Sequence, residues 1–440
     1  MVSSRKRGSW FSRGKLLLTG EYMVLHGATA LALPVKFGQG LEWKGDHDMD
    51  AGNGRTLSWV TYVRDKEWFR AVFGIAGNNY VIKSSPDDDR AAFLLDVLNA
   101  AAGLSDMALP GGTVESSVGF DMGWGLGSSS SLISNVAWMF DINPFALHFA
   151  VSRGSGYDIA CARSDSPVTY RLQYGTDRWS GTGLKSGHDA RVEPGKGTGH
   201  DARPDTGLKR DPGSGAKPGG SSSAMGQAGK PGSIAGHTGE EGSGDSAGKS
   251  GRNGVSDSFP VPVHRKVDFN PPFAGCLYFA YTGRKKDSAE SVSSFLSPKP
   301  DPDTTVAGTP GHAMDEQTGE PGIRRPGGRD SFSQPAGITA IVEQVTFITQ
   351  RILDTDNIDI FTGLLREHDR IIAPLVDEVH PRDGQFTDLP GYVKPLGAWG
   401  GDFVMIVWKD DRKKLIELLR KKGIDVVFSW DELIITSDDK

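Results

Sequence analysis

Lys15, Asp158 and the serine run Ser128–Ser131 are the residues of this chain whose types and neighbours point to chemistry. The run Gly123-Trp124-Gly125-Leu126-Gly127-Ser128-Ser129-Ser130-Ser131 leads into Leu132-Ile133-Ser134-Asn135-Val136-Ala137-Trp138-Met139-Phe140, an apolar stretch that reads as a helix. Glycines let a backbone turn tightly and bring its N–H groups close to a ligand. A helix that opens at such a turn leaves N–H groups without intrahelical partners and sets the positive end of its dipole at the loop. The combination suits a phosphate chain, with Gly125, Leu126, Gly127, Ser128, Ser129 and Ser130 as the candidate binding residues. Glycine and serine also build ordinary loops, and a serine here is equally an N-cap.

Three other segments stand in a fixed order around it. They are Gly14-Lys15-Leu16-Leu17-Leu18-Thr19-Gly20-Glu21-Tyr22 near the N-terminus, Gly154-Ser155-Gly156-Tyr157-Asp158-Ile159-Ala160, and Lys394-Pro395-Leu396-Gly397-Ala398-Trp399-Gly400-Gly401-Asp402-Phe403. Together the four resemble the signature motifs of the GHMP small-molecule kinases, which include galactokinase, homoserine kinase, mevalonate kinase and phosphomevalonate kinase. Gly400-Gly401-Asp402 and the "GEY" of Gly20-Glu21-Tyr22 lean toward the phosphomevalonate branch of the mevalonate/phosphomevalonate-like kinases, and the "SGYDIA" string looks like a subgroup of its own.

The resemblance implies an α+β protein with the GHMP kinase fold, a ribosomal-protein-type α/β domain followed by a ferredoxin-like α+β domain. It implies ATP and Mg²⁺ as cofactors and a small hydroxylated or phosphorylated metabolite as acceptor, closest to mevalonate or phosphomevalonate. Asp158 takes the role of catalytic base or acceptor-orienting carboxylate, and Lys15 that of its cationic partner. Ser129 becomes a magnesium ligand, with Ser128 beside it. Glu21, Tyr22, Gly397, Ala398, Gly400 and Gly401 fall on the acceptor side. Thr282, Arg284, Lys285 and Lys286 form a basic cluster that meets a phosphorylated acceptor or is a solvated turn.

Each role has a plainer counterpart. Asp158 also suits the cap of a helix beginning at Ile159. A lysine that opens a strand is usually solvated, and Glu21 would serve a buried ion pair as well as a substrate hydroxyl. Mevalonate kinases place a metal-binding glutamate about eleven residues before the aspartate, where this chain has Ala146-Leu147-His148-Phe149, and His148 reads as a packed helix histidine. Trp399 replaces the glycine usual in the last motif and Trp124 stands just before the first glycine of the loop, so the two indoles narrow the acceptor pocket or stack on a ligand. The departures motivate a second reading, a nucleotide-binding sensor or scaffold with impaired catalysis, and the resemblance leaves open a mevalonate diphosphate decarboxylase-like enzyme, which shares the fold and the aspartate.

The elements that position these motifs follow from composition and periodicity. At 440 residues the chain has room for two cores. A net charge of −6 gives no electrostatic case for nucleic acid or an anionic membrane, and two distant cysteines suit a reducing compartment. A cytoplasmic monomer or homodimer is expected. Residues 9–174 read as the N-terminal ATP-binding domain, with strands at Lys15–Thr19, Ala30–Phe37 and Thr56–Phe69 and a helix at Asp88–Ala102 that buries Phe93, Leu94, Val97 and Leu98. Residues 175–258 and 297–335 are glycine-, proline- and polar-rich inserts expected to be disordered. Within the first, Gly248-Lys249-Ser250 lacks the flanks of a P-loop. Residues 259–296 read as an ordered segment joining the domains, with a strand at Cys276–Tyr281. Residues 336–436 read as the C-terminal domain: helices at Ile338–Leu353 and Ile358–Leu375, then Phe403–Trp408, Arg412–Lys422 and Asp425–Trp430 as strand, helix and strand.

Overall fold

The apolar run that carries Lys15 pairs with the one that follows it, giving antiparallel strands β1 (Gly8–Thr19) and β2 (Ala30–Trp43). The computed structural model describes residues 8–45, 55–174, 260–284, 295, 336–376, 379–397, 399, 402–436 and 439. The inserts 175–258 and 297–335, Lys285, Lys286, Ala398, Gly400 and Gly401 lie outside the described residues. The chain divides into two units, Met1–Gly175 with Ser258–Lys440 and Thr176–Asp257, and all described residues belong to the first.

The expected strand Thr56–Phe69 is two strands, β3 (Thr56–Val63) and β4 (Lys66–Ala76). Arg64 and Asp65 make the turn between them at φ 47° and 64°. A two-residue hairpin loop needs left-handed backbone at both positions, and the usual Asn-Gly signal is absent from this one. β5 (Asn79–Ser84) follows, then α1 (Asp88–Leu104), whose first turn is capped by the Asp87 carboxylate accepting from Arg90 N–H. Leu94, Val97 and Leu98 are buried as the periodicity requires, whereas Phe93 is 41% exposed and lies off the buried stripe.

β6 (Gly112–Val118), α2 (Ser128–Met139), α3 (Pro144–Val151), α4 (Tyr157–Ala162), β7 (Val168–Gln173) and β8 (Val261–Lys266) complete this half. The strands lie in the order β5-β4-β3-β6-β2-β7-β8, with β1 on β2; the β3–β6 pair is parallel. One face of the sheet buries Leu41, Trp59 and Phe73 against Leu94 and Leu98 of α1 and Ile133 and Val136 of α2. Each such side chain stabilises by about 1.5–3 kcal/mol, which fixes α2 and the loop before it.

The second sheet contains β9 (Leu277–Tyr281). After it come α5 (Ala336–Leu353), α6 (Ile358–Ile372), β10 (Tyr392–Pro395), β11 (Phe403–Val407), α7 (Arg412–Lys421), β12 (Val427–Ser429) and α8 (Trp430–Leu433). Its order is β10-β11-β9-β12, antiparallel throughout, which is the ferredoxin-like arrangement. The segment 259–296 is therefore shared out: β8 extends the first sheet and β9 lies inside the second. The last strand ends at Ser429 because a reciprocal Ser429–Glu432 capping box starts a helix there. A further core joins the sheets, with Leu16, Leu18 and Leu33 packed in one cluster with Trp124, Phe279, Phe361, Phe403 and Trp430. Among the described residues no helix is long and apolar enough to cross a membrane.

Gln173 of β7 pairs with Val261 of β8, so the ends of the first insert meet as the ends of a hairpin. Loop closure depends only weakly on loop length. Replacing residues 176–257 by a short turn should therefore leave one cooperative thermal transition, its midpoint moved by no more than about 4 °C. Loss of cooperative unfolding in calorimetry would show that the insert supports the fold.

Candidate functional site

The phosphate-type loop is tied directly to the strand that carries Lys15. β1 bulges between Arg13 and Lys15, and Lys15 N–H donates to the Leu126 carbonyl at 2.9 Å. A Cβ on Gly14 would lie 2.7 Å from that carbonyl oxygen, so only glycine admits the approach. Gly125 and Gly127 are left-handed, at φ 63° and 89°. α2 then opens at Ser128 with Gly127 as its N-cap and no side chain capping its first turn. The four serines divide by role. Ser130 Oγ donates to the Gly127 carbonyl at 2.8 Å, and Ser131 Oγ donates to Gln39 Oε1 at 2.8 Å. Ser128 and Ser129 make no side-chain hydrogen bond to a described residue, and Ser129 is exposed.

Beneath the loop lies a buried polar network that the sequence reading missed. Ser12 Oγ meets Ser134 Oγ at 2.9 Å and Asn135 Oδ1 at 2.8 Å, Asn135 Nδ2 donates to the Gln39 carbonyl at 2.8 Å, and Gln39 Nε2 donates to Ser116 Oγ at 2.7 Å. Their polar side chains at strand and helix positions that the fold buries were the only available signal. Satisfied networks of this kind hold one geometry.

α4 brings the third motif to the same place. It begins at Tyr157, two residues before the expected start, with Gly156 as N-cap at φ 84°. Asp158 lies in its first turn, half-buried, with Oδ1 accepting from Ile159 N–H at 3.0 Å. Lys15 Nζ donates to the Gly125 carbonyl at 3.1 Å and lies 5.7 Å from the centre of the Tyr157 ring. Burial works to lower the Lys15 pKa, but the Tyr157 hydroxyl and the carboxylates of Asp158 and Asp402 outweigh it and hold the group above its ordinary value. The ammonium thus stays charged beside the loop. Burial pushes the Tyr157 hydroxyl up, against the pull of Lys15.

The fourth motif contributes Asp402, which the sequence reading quoted but gave no role. Its carbonyl accepts from Thr282 N–H at 2.8 Å. Its carboxylate lies against the loop, with Oδ2 1.6 Å from where a Cβ on Gly125 would sit. Gly397 N–H donates to the Leu17 carbonyl at 3.3 Å, which joins this motif to β1.

Glu21 is placed elsewhere. It is 1% exposed and its Oε1 accepts from Lys394 Nζ, in place of Lys15 or a ligand. Lys394 Nζ is also 3.0 Å from Asp369 Oδ1, and His368 Nε2 is 3.2 Å from Glu21 Oε2. Tyr22 is buried at φ 59° with its ring centre 4.8 Å from that of Phe295. Neither indole stacks on an open site. Trp124 packs edge-on to Phe37, Phe403 and Phe428, and Trp399 is fully buried beside Met23 and Val345. His148 is a packed helix histidine, with Nε2 3.3 Å from the Gly154 carbonyl. Arg284 is exposed.

This arrangement fits a nucleotide and its Mg²⁺. A Cβ at Gly125 would meet the Asp402 carboxylate and one at Gly127 would meet Ser130 and Lys15, so the close turn needs glycine at both, and the first turn of α2 presents uncapped N–H groups. The Ser128 and Ser129 hydroxyls offer the hard oxygen donors that Mg²⁺ prefers. Among the described residues no group of three His, Cys, Asp or Glu side chains could hold a metal ion alone. A cation here would be completed by phosphate oxygens and water.

No family model matches the chain, and no curated protein matches it. Solved structures do. The chain is similar to L. major mevalonate kinase in complex with R-mevalonate at 11% identity and a TM-score of 0.53, covering 99% of each chain. It is similar to Lactococcus lactis galactokinase complexed with galactose at 9% identity and a TM-score of 0.50, covering 98% of this chain and 94% of that one. With a ferredoxin-like second sheet and a glycine–serine loop opening α2, the chain has the fold of the GHMP kinases.

Proposed function

We propose that the chain is an ATP- and Mg²⁺-dependent phosphotransferase acting on a hydroxyl of a small metabolite, of the mevalonate or phosphomevalonate kind. The observation that supports it most is the Lys15 ammonium, which bonds the Gly125 carbonyl of the loop and lies 5.7 Å from the ring of Tyr157, the residue next to Asp158 in another motif. Phosphoryl transfer is catalysed mainly by positioning and by stabilising charge. The loop Gly125–Ser130 holds the donor phosphates through backbone N–H groups. Ser129, with Ser128 beside it, would hold Mg²⁺, which would neutralise phosphate charge when bound. Asp158 orients the acceptor hydroxyl and takes its proton as the acceptor oxygen bonds to the γ-phosphorus and the bond to ADP breaks. Lys15 balances the charge that develops on the transferred group. Gly397, whose N–H is held by the Leu17 carbonyl, lies on the acceptor side. Glu21 and Tyr22 shape that side from beneath, because Glu21 is held by Lys394.

The test is ADP release from Mg²⁺-ATP with mevalonate, phosphomevalonate, homoserine, galactose and a wider panel of hydroxylated metabolites. Release that depends on one acceptor is the expected result. Carbon dioxide release from mevalonate diphosphate would identify a decarboxylase instead. Nucleotide binding without turnover of any acceptor would favour a sensor.

A further inference from the structure

α4 carries Asp158, and the two residues that follow it, Ile159 and Ala160, line a cavity of about 210 Å³ together with Phe145 of α3, Val168 of β7 and His264 of β8. None of the residues placed at the candidate site above lines it. We infer that this cavity is a binding site for a small organic anion, with an apolar body of about six carbon atoms and one carboxylate or phosphate group that Arg163 receives.

Size and lining set the body of the ligand. A cavity of about 150 Å³ admits a benzene ring, so this one has room for such a body and a charged group besides. Ile159, Ala160 and Val168 are buried and Phe145 is half-buried, whereas His264 is exposed, its ring centre 5.5 Å from that of Phe145. An apolar lining with a few placed polar groups is the usual make-up of a small-molecule site. Arg163 sets the charge. Its guanidinium lies 4.0 Å over the Trp138 ring, Nε donates to Ser134 Oγ at 3.1 Å, and Nη2 donates to the Ser134 carbonyl at 3.0 Å. A guanidinium has five N–H donors, so three are left on a group whose orientation is already fixed. Its partners are all neutral, and among the described residues no carboxylate pairs with it. Burial pushes its pKa down to about 10 with no carboxylate opposing the shift. A partly desolvated guanidinium of this kind gains from an anion, through hydrogen bonds strengthened by charge. Lys266 borders the same cavity but is already engaged, its Nζ 2.6 Å from Asp165 Oδ1. A ligand here rests on the helix that carries Asp158, so occupancy bears on that residue from behind its own turn.

The experiment titrates the full chain, ¹³C-labelled at isoleucine and valine methyls, with benzoate, phenyl phosphate and neutral benzamide, without nucleotide. Methyl spectra locate binding and calorimetry measures it. At least one anion should bind and shift the Ile159 and Val168 methyls, and the tighter of the two names the head group. Benzamide should bind at least about tenfold more weakly, and Arg163→Gln should weaken the anions by a similar factor, as expected for loss of a charged hydrogen bond. His264→Glu, a change at an exposed strand position, sets a carboxylate beside the cavity. It should weaken the anions by about threefold or more and leave benzamide unchanged, because like charges repel. If Arg163→Gln does not fold, His264→Glu decides. Binding of neither anion, methyl shifts only elsewhere, benzamide binding as well as the anions, or anion affinity unchanged in both variants overturns the assignment.

Discussion

Asp158→Asn should lower acceptor-dependent ADP release by about 10²–10⁴-fold, the usual contribution of a positioned general base, with nucleotide affinity little changed. The substitution is nearly isosteric. The Oδ1 that accepts from Ile159 N–H has an amide-oxygen counterpart in asparagine, so the first turn of α4 keeps its hydrogen bond. What disappears is the negative charge facing Lys15. Burial already works to lower the Lys15 pKa, and Asp158 is one of the groups that offset it. In the variant the ammonium should lose its proton at lower pH than in the wild type, which moves the alkaline limb of residual activity to lower pH. Rates measured across pH for both proteins check the magnitude and the direction together. A fall in rate no larger than about threefold would remove Asp158 from the proton transfer, since base catalysis typically contributes far more. A fall confined to KM would make Asp158 a binding group only.

Much of the site was legible because its parts are local. Left-handed Gly125 and Gly127 and the helix after them announce themselves in the glycine–serine run, and Gly156 does the same for α4. The strands and helices of the second half stand in the order that periodicity predicts, while the α+β fold itself is what the resemblance implied. Partnerships across the sheets were not legible. Nothing local to Asp402 says that its carboxylate meets Gly125, 277 positions earlier, and nothing near Glu21 names Lys394 as its partner. Both contacts depend on the packing of the second sheet on β1 and β2, a tertiary fact without a sequence period. The hairpin at Arg64-Asp65 was missed for a different reason. Its residues adopt left-handed backbone without the glycine or asparagine that usually signals it. The Gln39–Asn135 network was missed because polar residues on strands read as solvent-facing until the opposite layer is known.

Lys394→Met should destabilise the fold by about 3–5 kcal/mol, the effect of removing one partner from a buried ion pair. Methionine keeps most of the volume, so the loss is chiefly electrostatic. Lys394 is fully buried between Glu21 of the β1–β2 connection and Asp369 of α6, and it lies on β10. The histidines are poorly placed to replace it. His368 Nε2 accepts from Gly20 N–H at 3.0 Å, and His380 Nδ1 accepts from Arg382 N–H at 3.1 Å, so one nitrogen of each ring is already engaged by a backbone donor. Without Lys394 two carboxylates would face each other across a dry interior. The pH dependence separates this account from a simple packing defect. In the wild type, burial works to raise the Asp369 pKa, but Lys394 and donors from the two histidines outweigh it and hold the carboxyl well below the usual range. A depressed folded-state pKa gives stability that is present above the unfolded value and is lost only as pH falls through the folded one. In Lys394→Met the largest contribution opposing burial is gone and only the histidine and Tyr392 donors remain, so the carboxyl pKa rises and protonation relieves the variant on mild acidification. The gap in stability between the two proteins should therefore be widest near neutral pH and shrink toward about pH 4, near the ordinary carboxylate range. Denaturant melts of both proteins across that range measure it. A gap that stays constant with pH would mean that packing, and not charge, is what Lys394 supplies.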